Sequence, residues 1–574
     1  MAKERWASRV GLVLAMAGNA VGLGNFLRFP AQAAQNGGGA FLIPYIVALL
    51  VMGLPLMWVE WTMGRFGGKD GHHSCPGILQ SMSRNPFWKY FGVFGVWTNL
   101  MVAAFYIYVE SWCLAYAGYS AINGFKGMDQ PAVKSFFENL IGSTPNSIWA
   151  ISYWGMGVFF ICIVINTFIL SRGLARGIEL VAKIFMPLLI VFATILAIRG
   201  LMIQPTDPGV YVDPTTGKPV SPFDGLNFVW NPQFQSLTNP SVWLAAAGQI
   251  FFTLSIGLGS IHCYASYLRE TDDVALTGAT TAWTNEFCEV VLGGTILIPI
   301  GVAYLGLDSV QNLGFGMCFT TFPTFLNNWG WFAPVAGFLW FGLLFFAAIT
   351  SSLAMGQPLM AFLQDEFGLS RARSAFAFCG LLMLLAVPVA IFTQASFFDE
   401  FDFWAGSFAL VVFAFGETIL FAWVFGMDRG WDELMRGAEL KVPLFFKFLI
   451  KYVTPVFLFI ILGSYIFKPT GTVERLDPKT GETVKLDKGW EPYIIAPFVG
   501  EPTPDWTWAP DGMIGKLLNR DVVDKQGASP QEIAFNENLR TLRTVDRLVM
   551  VGMFLFFCLL VHTAWKRRHA EGRA

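Results

Sequence analysis

The sequence predicts an all-α membrane protein of twelve transmembrane helices, built as a 5+5 inverted repeat with discontinuous first and sixth helices plus two extra helices. Three observations predict it. Of 574 residues, 54% are hydrophobic and 14% charged, whereas a soluble domain carries about 25% charged residues. Twelve apolar runs are long enough to cross a bilayer core, which takes about 20 residues as a helix. The first and sixth of these runs share a Gly-rich interruption at mid-span.

The runs lie near 10–33, 40–64, 87–121, 148–170, 176–199, 240–267, 274–303, 332–364, 374–392, 400–425, 444–467 and 544–565. Lys3, Arg5 and Arg9 precede the first, which also holds Asn19, Asn25 and Arg28. It is too long and too polar for the short apolar core of a secretory leader. Lys69, Arg84, Lys89, Arg172, Arg269, Arg371, Arg373, Arg429, Arg436, Lys441 and the tail Lys566, Arg567 and Arg568 all fall on the N-terminal side. The opposite loops at 34–39, 304–331 and 393–399 contain no Lys or Arg. Positive charge is retained on the cytoplasmic face, so both termini are expected there, in a multi-pass protein of the plasma (inner) membrane.

Residues 1–425 form the expected core, with halves at about 1–199 and 240–425, and 426–574 adds helices eleven and twelve. Two outer segments are long: 200–239, and 466–543 between the last two helices. Within the second, Thr472 to Thr483 reads as strand, turn at Pro478 and Gly481, then strand. The eight cysteines are scattered without ligand spacing and read as apolar filler. A net charge of −2 with no basic run points to no nucleic-acid partner. H-E-x-x-H, G-x-S-x-G and G-x-x-x-x-G-K-[ST] are all missing, so no enzyme is expected. His72 and His73 fall in a loop.

The first span reads Gly18-Asn19-Ala20-Val21-Gly22-Leu23-Gly24-Asn25 and the sixth Thr253-Leu254-Ser255-Ile256-Gly257-Leu258-Gly259-Ser260. Each Gly lowers helix propensity by about 1 kcal/mol, and freed backbone groups survive at membrane depth only where they line a cavity. A broken helix offers N–H groups to a carboxylate and carbonyls to a cation. Close helix packing through Gly18 and Gly22 would explain one such segment. The second copy in register favours a shared site. Five spans separate the copies, an odd number, so the second runs in the opposite direction, as in an inverted repeat.

Thr281, Asn285 and Glu289 share a face of the seventh span, and Ala347, Thr350 and Ser351 a face of the eighth. Hydroxyls in membrane helices commonly bond back to the preceding turn, yet neutral oxygens from several helices also suit a monovalent cation. Glu60, Glu110, Glu286 and Glu417 read as polar cross-braces between helices. Arg28 and Asp402 are placed to pair across a vestibule, or else to snorkel separately.

At these residues the chain resembles the neurotransmitter:sodium symporter family, most closely its bacterial leucine-transporter branch. The likeness rests on Gly18 to Pro30, Asn36-Gly37-Gly38-Gly39-Ala40-Phe41, Gly248 to Ser255 and Asp402-Phe403-Trp404-Ala405-Gly406, and covers about residues 3–460. The family's fold is the established case of broken helices meeting at a midplane site. The resemblance implies two sodium ions, one held by Ala20, Asn25, Thr253 and Asn285 with the substrate carboxylate, the other by Gly18, Val21, Ala347, Thr350 and Ser351. It places a small amino-acid-like substrate among Asn19, Ala20, Leu23, Gly24, Tyr106, Phe252, Thr253 and Ser255, with its side chain against Val102, Leu258, Ser351 and Met355. Tyr106 and Phe252 resemble the aromatic lid, Arg28 and Asp402 the outer charge pair, and Lys3, Trp6, Ser266, Tyr267 and Asp365 the cytoplasmic gate.

Departures bear on specificity. Leu258 stands where the leucine-transporting relatives have an aromatic residue and Met355 where they have a β-branched one, giving a smaller, more pliable wall. Lys3 replaces an Arg, keeping charge without the bidentate fork. Glu289 stands where chloride-dependent relatives resemble one another in having Ser, so a fixed carboxylate is expected to substitute for chloride, with proton counter-movement when it is protonated. The implied function is sodium-coupled symport of a small neutral amino acid across the lipid bilayer by alternating access. A betaine- or taurine-like solute, or a non-transporting ligand sensor, is the alternative, and the sequence leaves the oligomeric state open.

Overall fold

The computed structural model describes residues 4–144, 147–310, 316–467, 472–476, 483–487, 513–519, 522 and 529–570. Lys3 lies outside the described residues. Ten helical stretches are long and apolar enough to span a bilayer: Gly39–Lys69, Phe87–Ala121, Tyr153–Ser171, Leu174–Leu201, Val274–Leu305, Gly330–Phe367, Arg371–Ile391, Phe397–Leu434, Phe445–Ser464 and Pro530–Ala570. The bent pair Arg9–Ala20 and Gly24–Gln35 precedes them as span 1. Span 6 is made of Pro240–Leu254 and Ser260–Ala265. With these two the spans among the described residues number twelve, in the expected order.

Both breaks have local causes. Ser8 caps span 1 by accepting from the Gly11 N–H at 3.0 Å. The helix runs to Ala20, turns at Val21 into extended backbone, and resumes at Gly24 with a 48° bend. In span 6 the helix stops at Leu254, and Ser255, Gly257 and Gly259 take φ of 55°, 75° and 91° before it restarts at Ser260. Gly257 needs this freedom twice over: its φ suits Gly, and a Cβ there would run into the Leu410 carbonyl. Wide π-helical turns at Gly24–Arg28 and Phe287–Gly293 flank the first break and re-aim Asn25 and Glu289.

Spans 1, 2, 6 and 7 pack on one another, while spans 3, 4, 8 and 9 form a second packed group around the long third and eighth helices. The breaks face each other where the groups meet. Sequence boundaries were short at span 12, whose helix begins at Pro530 rather than 544. Arginines ahead of the expected start hold the added turns: Arg540 donates to the Val522 carbonyl at 2.8 Å and Arg543 to the Ser396 hydroxyl at 3.0 Å. The loop at 200–239 is more structured than its Pro and Gly content suggests, holding a capping-boxed helix at Pro222–Trp230. β1 (Thr472–Leu476) and β2 (Thr483–Asp487) pair antiparallel, as the sequence predicts; the turn between them lies outside the described residues.

Candidate functional site

A narrow cavity of about 20 Å³ lies between the two breaks. It is lined by eleven of the twelve expected substrate-contact residues, Asn19, Ala20, Gly24, Val102, Tyr106, Phe252, Thr253, Ser255, Leu258, Ser351 and Met355, together with Asn25, Gly22, Gly406 and Leu410. Leu23 sits just behind the wall, its N–H donating to the Tyr106 hydroxyl at 3.0 Å. Ser255 donates to the Asn19 carbonyl at 2.9 Å, stitching one break to the other. On the far side of span 6, Thr98 and Asn99 of span 3 donate to the Leu258 carbonyl. The side wall of Val102, Leu258, Met355 and Leu410 is apolar and buried.

Asn25, Thr253 and Asn285 meet at one end of the cavity. Asn25 accepts from the Gly22 N–H at 2.8 Å and donates to Asn285 at 2.8 Å and to Glu289 at 3.1 Å. Asn285 donates to the Thr253 hydroxyl at 2.9 Å, and Thr253 in turn to Glu289. Gln249 donates to the other Glu289 oxygen at 2.7 Å. All five side chains are buried, and four neutral groups converge on a single carboxylate. Ala20 lines the cavity beside them.

Gly18, Ala347, Thr350 and Ser351 form a second oxygen cluster between spans 1 and 8. Ser351 donates to the Gly18 carbonyl at 3.1 Å and the Ala347 carbonyl at 3.2 Å, and Thr350 to Ala347 at 3.2 Å and Phe346 at 2.9 Å. The hydroxyls thus bond back within span 8 and also reach across to span 1. Gly18 allows that approach, since a Cβ there would lie 2.9 Å from the Thr350 side chain. Val21 is buried nearby in span 1, where its N–H donates to Ala17 at 2.6 Å.

Both ends of the cavity are closed. At one end the Arg28 guanidinium lies over Phe252, 4.4 Å from the ring centre. Asp402 is within electrostatic reach of Arg28 and Lys516, but no ion pair within 4.0 Å joins Arg28 to Asp402, so stacking, not direct pairing, fixes this arginine. At the N-terminal end Trp6 donates to the Tyr264 carbonyl at 3.1 Å and packs edge-on against its ring. His73 is the hub there: its N–H donates to Asp365 at 2.8 Å, its Nδ1 meets the Ser266 hydroxyl at 2.9 Å, and its ring stacks on Tyr267 at 4.3 Å. Arg371 bridges Glu4 at 2.8 Å and Gln357 at 2.7 Å, and Gln357 donates to Tyr267. Burial and the neighbouring Arg568 guanidinium hold His72 down to about 4, so it is neutral at physiological pH.

Sequence reasoning missed Gln249, His73, Glu4, Arg371, Gly406 and Leu410. Gln249 carried a signal, lying within a quoted motif four residues before Thr253 and so on its helix face. His73 carried none, because only the fold brings the loop to span 8. Gly24 supplies a test: a Cβ there would lie 2.6 Å from the Phe252 ring. Gly24→Ala should therefore push the lid aside and weaken apparent substrate affinity by roughly tenfold, about 1.4 kcal/mol. Equilibrium binding of radiolabelled substrate checks it, and unchanged affinity would show that Phe252 does not close on the ligand.

Two broken helices facing each other across a buried cavity, in a twelve-span membrane protein, define a secondary-transporter core. The model of the sodium:neurotransmitter symporter family matches residues 3–126 and 128–484. An uncharacterised sodium-dependent transporter of Methanocaldococcus jannaschii is 32% identical over 82% of this chain and 92% of its own length. The sodium-dependent serotonin transporter of Drosophila melanogaster is 25% identical, over 83% of this chain and 78% of its own. The crystal structure of MhsT in complex with L-phenylalanine superposes with a TM-score of 0.68 at 26% identity, covering 80% of this chain and 99% of that one. The chain belongs to the sodium:neurotransmitter symporter family: it is a multi-pass, sodium-dependent symporter and not an enzyme.

Proposed function

We propose that this symporter carries a small neutral amino acid into the cytoplasm with two sodium ions and without chloride. The observation that carries the reading is the cavity itself: polar backbone and side chains of both breaks at one end, an apolar wall of Val102, Leu258 and Met355 at the other. Such a division suits a molecule with a zwitterionic head and an apolar side chain. The head group would lie against Asn19, Ala20, Gly24, Thr253 and Ser255, with the first sodium at Ala20, Asn25, Thr253 and Asn285 bridging to its carboxylate. The second sodium would take the Gly18 and Val21 carbonyls, the Ala347 carbonyl and the Thr350 and Ser351 hydroxyls. Support comes from the L-phenylalanine bound by MhsT and from a Drosophila grimshawi relative named as a nutrient amino acid transporter, 24% identical.

Spans 1, 2, 6 and 7 would rock against the rest, opening Arg28 and Phe252 at the outer end or Trp6 and Tyr267 at the cytoplasmic end. With two sodium ions per zwitterion, two charges cross, worth about 4.6 kcal/mol at about 100 mV. A tenfold sodium gradient adds about 2.8 kcal/mol. The sum corresponds to an accumulation near 10⁵-fold.

A thermal-shift screen of amino acids and betaines, with and without sodium, tests the substrate class. Sodium-dependent stabilisation by neutral amino acids is expected; a response confined to betaines or taurine would transfer the reading to that class. Leu258→Phe should narrow the wall and shift preference towards smaller side chains by about 1–3 kcal/mol of discrimination. An unaltered substrate ranking in competition uptake would remove Leu258 from the pocket.

A further inference from the structure

Outside the cavity, three buried side chains from three different spans face one another. Glu60 of span 2, His262 of the second half of span 6 and Glu417 of span 10 are all fully buried, and one ligand atom of each lies within 4.8 Å of the other two. His262 Nδ1 stands 3.4 Å from Glu60 Oε2, and Nε2 stands 3.3 Å from Glu417 Oε2. Neither approach has hydrogen-bond geometry: both ring nitrogens, Glu60 Oε2 and both Glu417 oxygens are left without a hydrogen-bond partner. The other Glu60 oxygen accepts the Gly257 N–H at 2.6 Å, inside the break that lines the cavity. No Lys or Arg among the described residues pairs with either carboxylate. The Cys75 thiol lies near both glutamates but outside the cluster, donating instead to the Gly259 carbonyl at 3.6 Å.

Buried polar atoms without partners are costly and rare, and here five of them meet in one place. Two carboxylates and an imidazole are a donor set for a divalent transition metal. Charge favours the same occupant. Two carboxylates and one divalent ion sum to zero beside a neutral imidazole, which offsets the cost of holding two anions at membrane depth. The imidazole disfavours calcium and magnesium, which take oxygen ligands. Ligands about 2.0–2.1 Å from a tetrahedral zinc ion stand about 3.3 Å from one another, the spacing the imidazole already keeps from each carboxylate. One ring nitrogen takes the ion, and the farther carboxylate then has at most about 1.5 Å to close. The second Glu417 oxygen is free to complete a fourth position.

We propose that Glu60, His262 and Glu417 form a zinc site, separate from the cavity and from both sodium sites, that ties the break of span 6 to span 10. Glu60 passes the restraint to Gly257 through its second oxygen, and His262 holds the helix that restarts after the break. Glu417 anchors both in a helix outside the group of spans 1, 2, 6 and 7. The bound ion holds the closed conformation and slows turnover. That consequence rests on the rocking motion proposed above, whereas metal binding itself does not.

Two measurements on the full chain separate these. After equilibration with zinc chloride in detergent and desalting, elemental analysis should find about one more zinc per chain in the wild type than in His262→Leu or Glu417→Gln. X-ray absorption at the zinc edge should show nitrogen and oxygen neighbours at about 2.0 Å and no sulfur at about 2.3 Å. A wild type that holds no zinc would overturn the site and leave a proton shared between the two carboxyls as its occupant. Equal zinc in wild type and both variants would overturn it too, as would a sulfur shell, which would move the ion to the cysteines. The absorption spectrum of the wild type decides the matter if the variants do not fold. In proteoliposomes at fixed sodium, zinc should slow turnover severalfold in the wild type and leave Glu417→Gln unaffected. Zinc bound without any change in turnover would overturn the restraint on the break, whereas failure to find any transported solute would count against the proposed function and leave the metal analysis to decide the site.

Discussion

Asn25→Ala is expected to abolish sodium-dependent uptake while leaving a folded protein. The side chain makes three buried hydrogen bonds, to the Gly22 N–H, Asn285 and Glu289. Its removal strands donors and acceptors that have no water to turn to, at about 1–3 kcal/mol for each. Two stranded groups amount to roughly 3 kcal/mol, or a loss of apparent sodium affinity near 100-fold. The same substitution releases the Gly22 amide and with it the shape of the first break. Sodium titration of thermal stability and of uptake measures the effect, with Thr350→Ala as the companion at the second oxygen cluster. Wild-type sodium dependence in both variants would sink the assignment of the two ion sites.

Glu289→Ala should convert a chloride-indifferent carrier into a chloride-responsive one. Glu289 is the common acceptor for Asn25, Thr253, Asn285 and Gln249. Without it four buried donors face a space suited to an anion, and a cation bound at Asn25 and Asn285 loses a fixed negative charge beside it. Uptake by the wild type is expected to be unchanged when gluconate replaces chloride. For the variant, uptake in gluconate should fall by about 100-fold or more, the effect of leaving a buried charge network open, and chloride should restore a measurable part. A large chloride dependence in the wild type would contradict this role for Glu289.

The twelve spans were legible because each must satisfy its own backbone within the bilayer, so length and hydropathy suffice to reveal a helix. Both breaks were legible for the converse reason: Gly22, Gly24, Gly257 and Gly259 interrupt apolar runs that have no other cause to stop. Eleven of the expected contact residues line one cavity, and their expected roles came from the family resemblance, not from periodicity. The pairing of Arg28 with Asp402 was less legible. Sequence places the two charges at similar depth, but cannot tell whether an aromatic ring will intervene, and Phe252 takes the guanidinium instead.

Taken alone, the amino-acid sequence determined the span number, the inverted repeat, the polar faces of spans 7 and 8 and the family likeness. These are properties of local propensity, apolar periodicity and motif, all carried by residues close together along the chain. Tertiary structure alone decided which distant groups meet. It set Gln249 on Glu289 across 40 residues and His73 on Asp365 across 292. It also brought an imidazole from span 6 beside carboxylates of spans 2 and 10. In the sequence those carboxylates read only as cross-braces, since a buried charge declares its cost in one dimension and its partner only in three.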